Sequence, residues 1–235
     1  MQEEPWANIH LSGAPPEAHF RFDYLGRERV DSPFANGLGE VSAVSFWLST
    51  DYLEQHGPRQ TRKLLMALAA PLPFASGNAG LAFSGSLDVA ANIRQVRRDC
   101  LRYPGLEVLR LSMTSLRIGT RVRGPSWLTF LGAPLLSQLG GAAQLGSRLN
   151  TPSTTVQAVE ATSAVVTLGD RPATGDSEHD EPLSGYRELA RALEPWTLWG
   201  RVNPSWGSNL RRRAAGNAAS STNGGVRMKR AGGGC

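Results

Sequence analysis

The sequence predicts an α+β fold, in which a mixed or antiparallel sheet packs against helices and is followed by a disordered C-terminal tail. Short β-prone runs alternate with apolar stripes at helical spacing, and turn signals such as Gly-Pro and Asn-Gly separate them. The chain has 235 residues, of which 40% are hydrophobic and 19% are charged, so it is long and apolar enough for a buried core.

The stretch 103–132 is predicted to lie at the centre of this fold. Two β-prone runs, 116–122 and 127–131, are separated by the turn signal Gly124-Pro125-Ser126. Alternation along the first run predicts one apolar and one basic face, which consist of Ile118, Thr120 and Val122 and of Arg117, Arg121 and Arg123. We therefore expect two strands joined by a turn, serving as a scaffold and offering a docking surface.

Five further strands are predicted from apolar alternation or from short apolar runs between turn residues. They cover 19–24, 41–48, 79–83, 154–159 and 164–168. Because both faces of 41–48 carry apolar residues, we expect that strand to lie in the middle of a sheet. The last two runs are close in sequence and predict a strand pair.

Five segments have apolar residues three to four positions apart and are predicted to be helical. They cover 51–57, 58–70, 86–103, 134–149 and 185–193, and a glycine pair weakens the fourth. Asp51 and Glu54 are spaced as in a capping box, and Gly57-Pro58 separates the first two helices. Cys100 belongs to the apolar stripe of its helix and is expected to be a small buried hydrophobe. The order strand, helix, strand, helix occurs twice, which suggests two repeated units.

Composition divides the chain into three parts. Residues 1–17 are expected to form a flexible arm, residues 18–196 a single α+β domain, and residues 197–235 a low-complexity basic tail. Seven of the 25 basic residues lie in the tail, which leaves 18 basic against 20 acidic residues before it and a net charge of −2 there. The net charge of +5 for the whole chain therefore comes from the tail, which could bind nucleic acid non-specifically.

The sequence predicts a reduced, cytoplasmic protein. No basic segment followed by an apolar run occurs at the start, and no apolar run approaches the ~20 residues that a membrane helix needs. The two cysteines, Cys100 and Cys235, are not spaced as metal ligands. We expect no membrane association.

No catalytic, cofactor-binding or metal-binding motif occurs in the sequence. The four histidines are not spaced to share a helical face, and there is no Walker lysine, dinucleotide fingerprint or complete GxSxG elbow. We therefore expect that the protein is not an enzyme and uses no cofactor. Two alternatives stay open: an enzyme assembled from distant residues such as Asp51, His56 and Ser126, and a nucleic-acid-binding protein that depends on the basic tail.

Five segments together carry a resemblance to a known family: YLEQHGP at 52–58, AGLAF at 79–83, RYPGL at 102–106, IGTRVRGPSWLTFLG at 118–132 and YRELA at 186–190. They resemble the type VI secretion immunity family of Myxococcales and other Proteobacteria, which is paired with VRR-NUC nuclease effectors. The resemblance covers roughly residues 20–196 and implies a cytoplasmic protein that binds and blocks a toxic effector without catalysis. The tail departs from the family pattern, and a shifted reading frame is one hypothesis for its origin.

The resemblance makes a secreted nuclease the expected partner, and charge suggests where it binds. A nuclease needs a basic substrate cleft, so an inhibitor gains association rate and specificity by presenting acidic groups. The predicted contacts are therefore acidic residues of the loop 169–182, together with two candidate anchors of the types that dominate interfaces. They are Asp176, Glu178, Asp180 and Glu181, with Arg121 and Trp127 as anchors. Nothing in the sequence indicates the oligomeric state.

Overall fold

The computed structural model describes residues 6–13, 20–27, 39–84, 90–179 and 183–198. Within these residues the chain forms the predicted α+β fold, with two separate antiparallel sheets. The predicted tail lies outside them except for Thr197 and Leu198, so its predicted disorder concerns residues that are not described. Leu198 is fully buried, and the folded body therefore extends two residues past the predicted boundary.

The first sheet has three antiparallel strands in chain order, β1 (Trp6–Ser12), β2 (Phe20–Arg27) and β3 (Ala43–Leu48). β1 lies inside the segment for which we expected a flexible arm. The prediction of a central position for 41–48 is wrong, because β3 is an edge strand of the described sheet. Trp47 was one of the apolar residues that predicted burial of both faces. Its ring is instead covered by the guanidinium of Arg21 on the neighbouring strand β2, 4.3 Å from the ring centroid.

The second sheet has four strands, β4 (Ser76–Ala79), β5 (Leu128–Leu131), β6 (Thr154–Glu160) and β7 (Ser163–Leu168), in the order β4-β5-β7-β6. All pairs are antiparallel, and β5, β6 and β7 confirm the predicted strands. The predicted strand over 79–83 is wrong, since β4 ends at Ala79. The residues after it bond elsewhere: Phe83 N–H donates to the Glu107 carbonyl, and Glu107 N–H donates to the Leu81 carbonyl.

Six α-helices lie in the described residues: α1 (Thr50–Ala69), α2 (Ala90–Arg102), α3 (Leu111–Ser115), α4 (Leu135–Gln138), α5 (Gly141–Ser147) and α6 (Ser184–Leu193). A short 3-10 helix, Glu194–Trp196, follows α6. Gly57 interrupts α1 with a φ of 73°, as the Gly57-Pro58 signal predicts. The capping residue of α1 is Ser49 rather than Asp51, because its side chain accepts from the Tyr52 N–H. The predicted helix over 134–149 is divided into α4 and α5 at Gly140, whose φ is 85°.

The second sheet lies between two layers of helix. On one face, Leu65 and Met66 of α1 pack against Trp127, Phe130 and Val165. On the other face, buried leucines of α4, α5 and α6 pack against β5 and β7. Because both faces are covered, every residue of β5 and β7 is buried, whereas the edge strand β6 is largely exposed.

The predicted strand over 116–122 is wrong. A turn follows α3, in which Gly119 has a φ of 52° and the Arg121 N–H donates to the Ile118 carbonyl at 2.9 Å. Ile118 and Val122 are buried as the alternation suggested. Val122 pairs with the end of the described chain instead of with β5, since its carbonyl accepts from the Leu198 N–H at 2.8 Å.

The chain from β3 to α2 has the predicted order strand, helix, strand, helix, whereas the chain from β5 to α6 has the order strand, helix, helix, strand, strand, helix. The two units are not equivalent in their sheets, because β3 is an edge strand of the first sheet and β5 lies inside the second. The two segments therefore differ both in element order and in packing environment.

Candidate functional site

Asp176 is the main anchor of the acidic loop that leads from β7 to α6. Its carboxylate accepts hydrogen bonds from Nε and Nη2 of Arg102 in α2, at 2.9 to 3.3 Å, and lies 2.8 Å from Nδ1 of His179. The Glu178 N–H also donates to it, at 2.9 Å. These bonds, with those from Arg102 contributing most, hold the pKa of Asp176 well below its usual range. Asp176 is thus a charged group that ties the loop to α2.

Backbone contacts fix the same loop against the end of α2. The Gly105 N–H donates to the Thr174 carbonyl at 2.7 Å, and the Ser177 N–H donates to the Arg102 carbonyl at 2.8 Å. A side chain on Gly105 would collide with the carbonyl of Ala173, so glycine is required for this close approach. The loop is therefore held at several points up to residue 179.

Glu178 and Asp176 are the two predicted acidic contacts that the structure describes, and the side chain of Glu178 is the exposed one. Its Oε2 lies 3.0 Å from Nη1 of Arg102 at the surface. Asp176, by contrast, is half-buried, and its charge is matched by Arg102 and His179 within the fold. Asp180 and Glu181 lie outside the described residues. Asp176 and Glu178 thus both form ion pairs with Arg102. Their contact with a partner stays a prediction.

The two predicted anchors, Trp127 and Arg121, lie outside the acidic loop in the sequence. Trp127 is buried in the core next to β5. Its Nε1–H donates to the Gly169 carbonyl at 3.2 Å, and Gly169 is the residue that follows β7. Trp127 therefore supports the start of the acidic loop from inside the core. Arg121 is half-buried, and its carbonyl accepts from the Ser76 hydroxyl at 2.6 Å. A partner-binding role for these two residues also stays a prediction.

A buried polar cluster that the sequence analysis did not identify lies beside β5. The Glu107 carboxylate accepts from Nη1 of Arg123 at 2.8 Å and from the Ser126 hydroxyl. Nη2 of Arg123 also donates to the Val108 carbonyl at 3.1 Å. Burial raises the pKa of Glu107, and the neighbouring Arg123 partly offsets this effect. No local pattern could have indicated the cluster, because its acid and its base are far apart in sequence.

Ser126 and His56, two residues of the open enzyme alternative, each bond to another partner in the described residues. Ser126 is buried and bonded to Glu107 rather than to a histidine. His56 is exposed, with Nδ1 3.0 Å from the Tyr52 carbonyl and its ring stacked on that of Tyr52 at 4.2 Å. In the described ranges there is also no group of three acidic, His or Cys side chains that could hold a metal ion.

The comparisons with known proteins concern family and fold. The chain matches no curated protein. Its fold is similar to that of a solved structure, the Pseudomonas aeruginosa T6SS protein PA0821, with a TM-score of 0.66 and 21% sequence identity. The match covers 84% of this chain and 55% of that one, so this chain spans about half the length of the solved protein.

A family model with the description "Type VI immunity for VRR-NUC" matches residues 8–222. The match includes the segment 20–196 in which the resemblance was expected, and it extends into part of the tail that we expected to lie outside the family. The expected family is confirmed. This chain belongs to the TsiV family of type VI immunity proteins for VRR-NUC.

Proposed function

We propose that this chain binds a VRR-NUC effector directly and neutralises it without catalysis of its own. The observation that carries the proposal is its membership of the immunity family for such effectors. The placement of His56 and Ser126 supports the absence of catalysis. The Glu107 carboxylate that accepts from Ser126 is already paired with Arg123, and the His56 ring contacts the Tyr52 carbonyl instead of a serine.

We further propose that the acidic loop contributes the contact with the effector. A nuclease binds a polyanion and so presents basic groups, which acidic side chains of an inhibitor attract and orient. Glu178 supplies one such group at the surface, and Asp180 and Glu181 follow it in the sequence. Asp176 and Trp127 act as positioning residues in this proposal, since they fix the loop from inside. Arg121 remains a candidate anchor.

The place of action follows from the substrate of the effector. A nuclease damages the cell only where nucleic acid is present, so we propose that neutralisation takes place in the cytoplasm. In the part of the chain that the structure describes, no helix is long and apolar enough to cross a membrane.

Co-expression tests the function. Cells that produce an active cognate VRR-NUC effector should survive when they also produce the full chain. Calorimetry with a catalytically inactive form of the same effector should then show a complex. Death of cells that produce both proteins, or the absence of a complex with the inactive effector, would overturn the proposal.

The triple variant E178K/D180K/E181K tests the proposed surface and leaves Asp176 in place. It should weaken effector binding by at least about tenfold if these groups meet a basic surface. Glu160→Lys is the control for the reversal of one exposed charge outside the loop, because Glu160 is exposed on the edge strand β6. Equal binding by the triple variant and the control would move the effector contact away from this loop.

A further inference from the structure

One face of the three-stranded sheet is apolar on all three strands. The register pairs Leu11 with Phe22 and Phe22 with Phe46, so these side chains lie on the same face. The rings of Phe22 and Phe46 are 5.3 Å apart. Ile9 and Phe20, two positions away along β1 and β2, extend the same face. Within the three strands, no charged residue occupies one of the alternate positions that belong to this face.

Four side chains of this apolar face are partly exposed to solvent. The exposed fractions of Ile9, Leu11, Phe20 and Phe46 are 46%, 56%, 53% and 36%. Isolated exposed hydrophobic residues are common, but a contiguous patch on one sheet face usually marks an interface. The patch includes two phenylalanines, and aromatic residues are enriched at the centres of interfaces.

The opposite face of the same sheet is polar and has its own internal bonds. Asp23 accepts from Arg21 Nε at 3.1 Å and from the Ser45 hydroxyl at 3.0 Å, and it lies 2.6 Å from Nδ1 of His10. Antiparallel sheets commonly have one face packed on apolar groups and the other in water. This sheet has that division of residues, yet side chains of its apolar face are exposed as well.

We propose that a second copy of this chain covers this face, so that the two three-stranded sheets pack face to face in a homodimer. A charge-free face can meet itself across a two-fold axis without repulsion. Homodimer interfaces are also more apolar than those of partners that exist separately. A basic nuclease surface would be matched by acidic groups instead, and the predicted acidic groups lie on the loop after β7 rather than on this sheet.

The size of the patch is sufficient for such a contact. With on the order of 200 Å² for each large side chain, the four exposed residues leave roughly 400 Å² of apolar surface on each copy. Half-buried neighbours such as Phe22 enlarge it. The four residues on two facing copies would therefore bury roughly 800 Å², and the half-buried neighbours bring the total to about the 1,000 Å² at which specific interfaces begin.

The mass of the full chain in solution tests the proposal. Light scattering at about 10 µM protein should give about twice the chain mass of 25.3 kDa. Ile9→Glu should convert the dimer to a monomer and raise its dissociation constant by about 100-fold or more, because the two-fold axis buries the unpaired charge twice. Asn8→Glu is the matched control, since Asn8 is the exposed neighbour of Ile9 on the opposite face and its variant should remain dimeric.

Leu11→Glu gives a second variant in case Ile9→Glu does not fold, because Leu11 is the more exposed of the two. A wild-type mass of 25.3 kDa at every concentration up to about 100 µM would overturn the proposal. So would an unchanged dimer in both glutamate variants. A monomeric wild type whose binding to the inactive effector is lost in Ile9→Glu would assign the face to the effector instead.

Discussion

Replacing Arg123 by methionine tests whether a single ion pair holds the Glu107 carboxylate inside the fold. The two side chains are only 17% and 18% exposed, and their charged atoms are 2.8 Å apart. Removing one partner of a buried pair leaves the other charge without compensation, which costs about 3–5 kcal/mol. We expect Arg123→Met to lower the free energy of unfolding by about that amount at neutral pH.

The pH dependence of this loss follows from the pKa of Glu107. Burial raises the folded-state pKa above the ordinary value of 4.5, and Arg123 works against that increase. Without Arg123 the folded-state pKa should rise further. The protonated carboxyl carries no charge that burial would penalise, so the difference in stability between variant and wild type should be small while Glu107 is protonated in both folded proteins. It should grow as pH rises from the folded-state pKa of the wild type to the higher folded-state pKa of the variant.

Urea unfolding followed by tryptophan fluorescence at about pH 4 and pH 7.5 measures both effects. Glu107→Gln combined with Arg123→Met is the control, and it should recover most of the stability lost at pH 7.5 because no buried charge remains. An Arg123→Met protein that unfolds at the wild-type urea midpoint at pH 7.5, or a loss that is equal at both pH values, would refute this reasoning.

Other contacts give further measurable expectations. Gly132→Ala should lower the free energy of unfolding by about 1–3 kcal/mol, because the added methyl group would collide with the Phe74 carbonyl; an unchanged thermal melt would contradict this. Trp127→Ala should cost about 3–5 kcal/mol because its ring is buried, and a variant of full stability that no longer binds effector would show a contact role instead. Arg102→Ala should accelerate amide hydrogen exchange at 173–179, and equal exchange rates would show that Asp176 does not anchor the loop. The pKa of Asp176 is lower in the folded state than the unfolded-state value of 3.8, so the bonds between Asp176 and Arg102 contribute their full stability above pH 3.8. That contribution is lost only as pH falls towards the folded-state pKa. The effect of Arg102→Ala on exchange should therefore be constant from about pH 5 to 8.

The parts of the fold that could be predicted from sequence are those with local causes. The pair β6 and β7 follows from two β-prone runs separated by a tight connection. The interruption of α1 follows from Gly57 and Pro58, whose backbone preferences act on neighbouring residues alone. α6 likewise follows from an apolar stripe bounded by polar residues.

The parts that could not be predicted depend on distant partners. Ile118 and Val122 alternate as in a strand, but the second of them pairs with Leu198, and nothing near residue 122 indicates that choice. The candidate site has the same property, because Arg102 and Asp176 are joined across 74 residues. Sequence composition identified the acidic loop, but it could not indicate which of its charges is matched inside the fold.

Arg102→Ala distinguishes two explanations of effector binding, one based on the total charge of the chain and one based on the position of Glu178. Arg102→Ala removes one positive charge from a body of net charge −2, so a purely long-range attraction to a basic effector would become stronger and association faster. The same variant removes the bonds that hold Asp176, and the Glu178 N–H is bonded to that carboxylate. If the position of Glu178 matters more than the total charge, dissociation should accelerate instead. We expect the second result, because the Arg102 side chain contacts both Asp176 and Glu178 and an exposed charge contributes little unless its geometry is maintained.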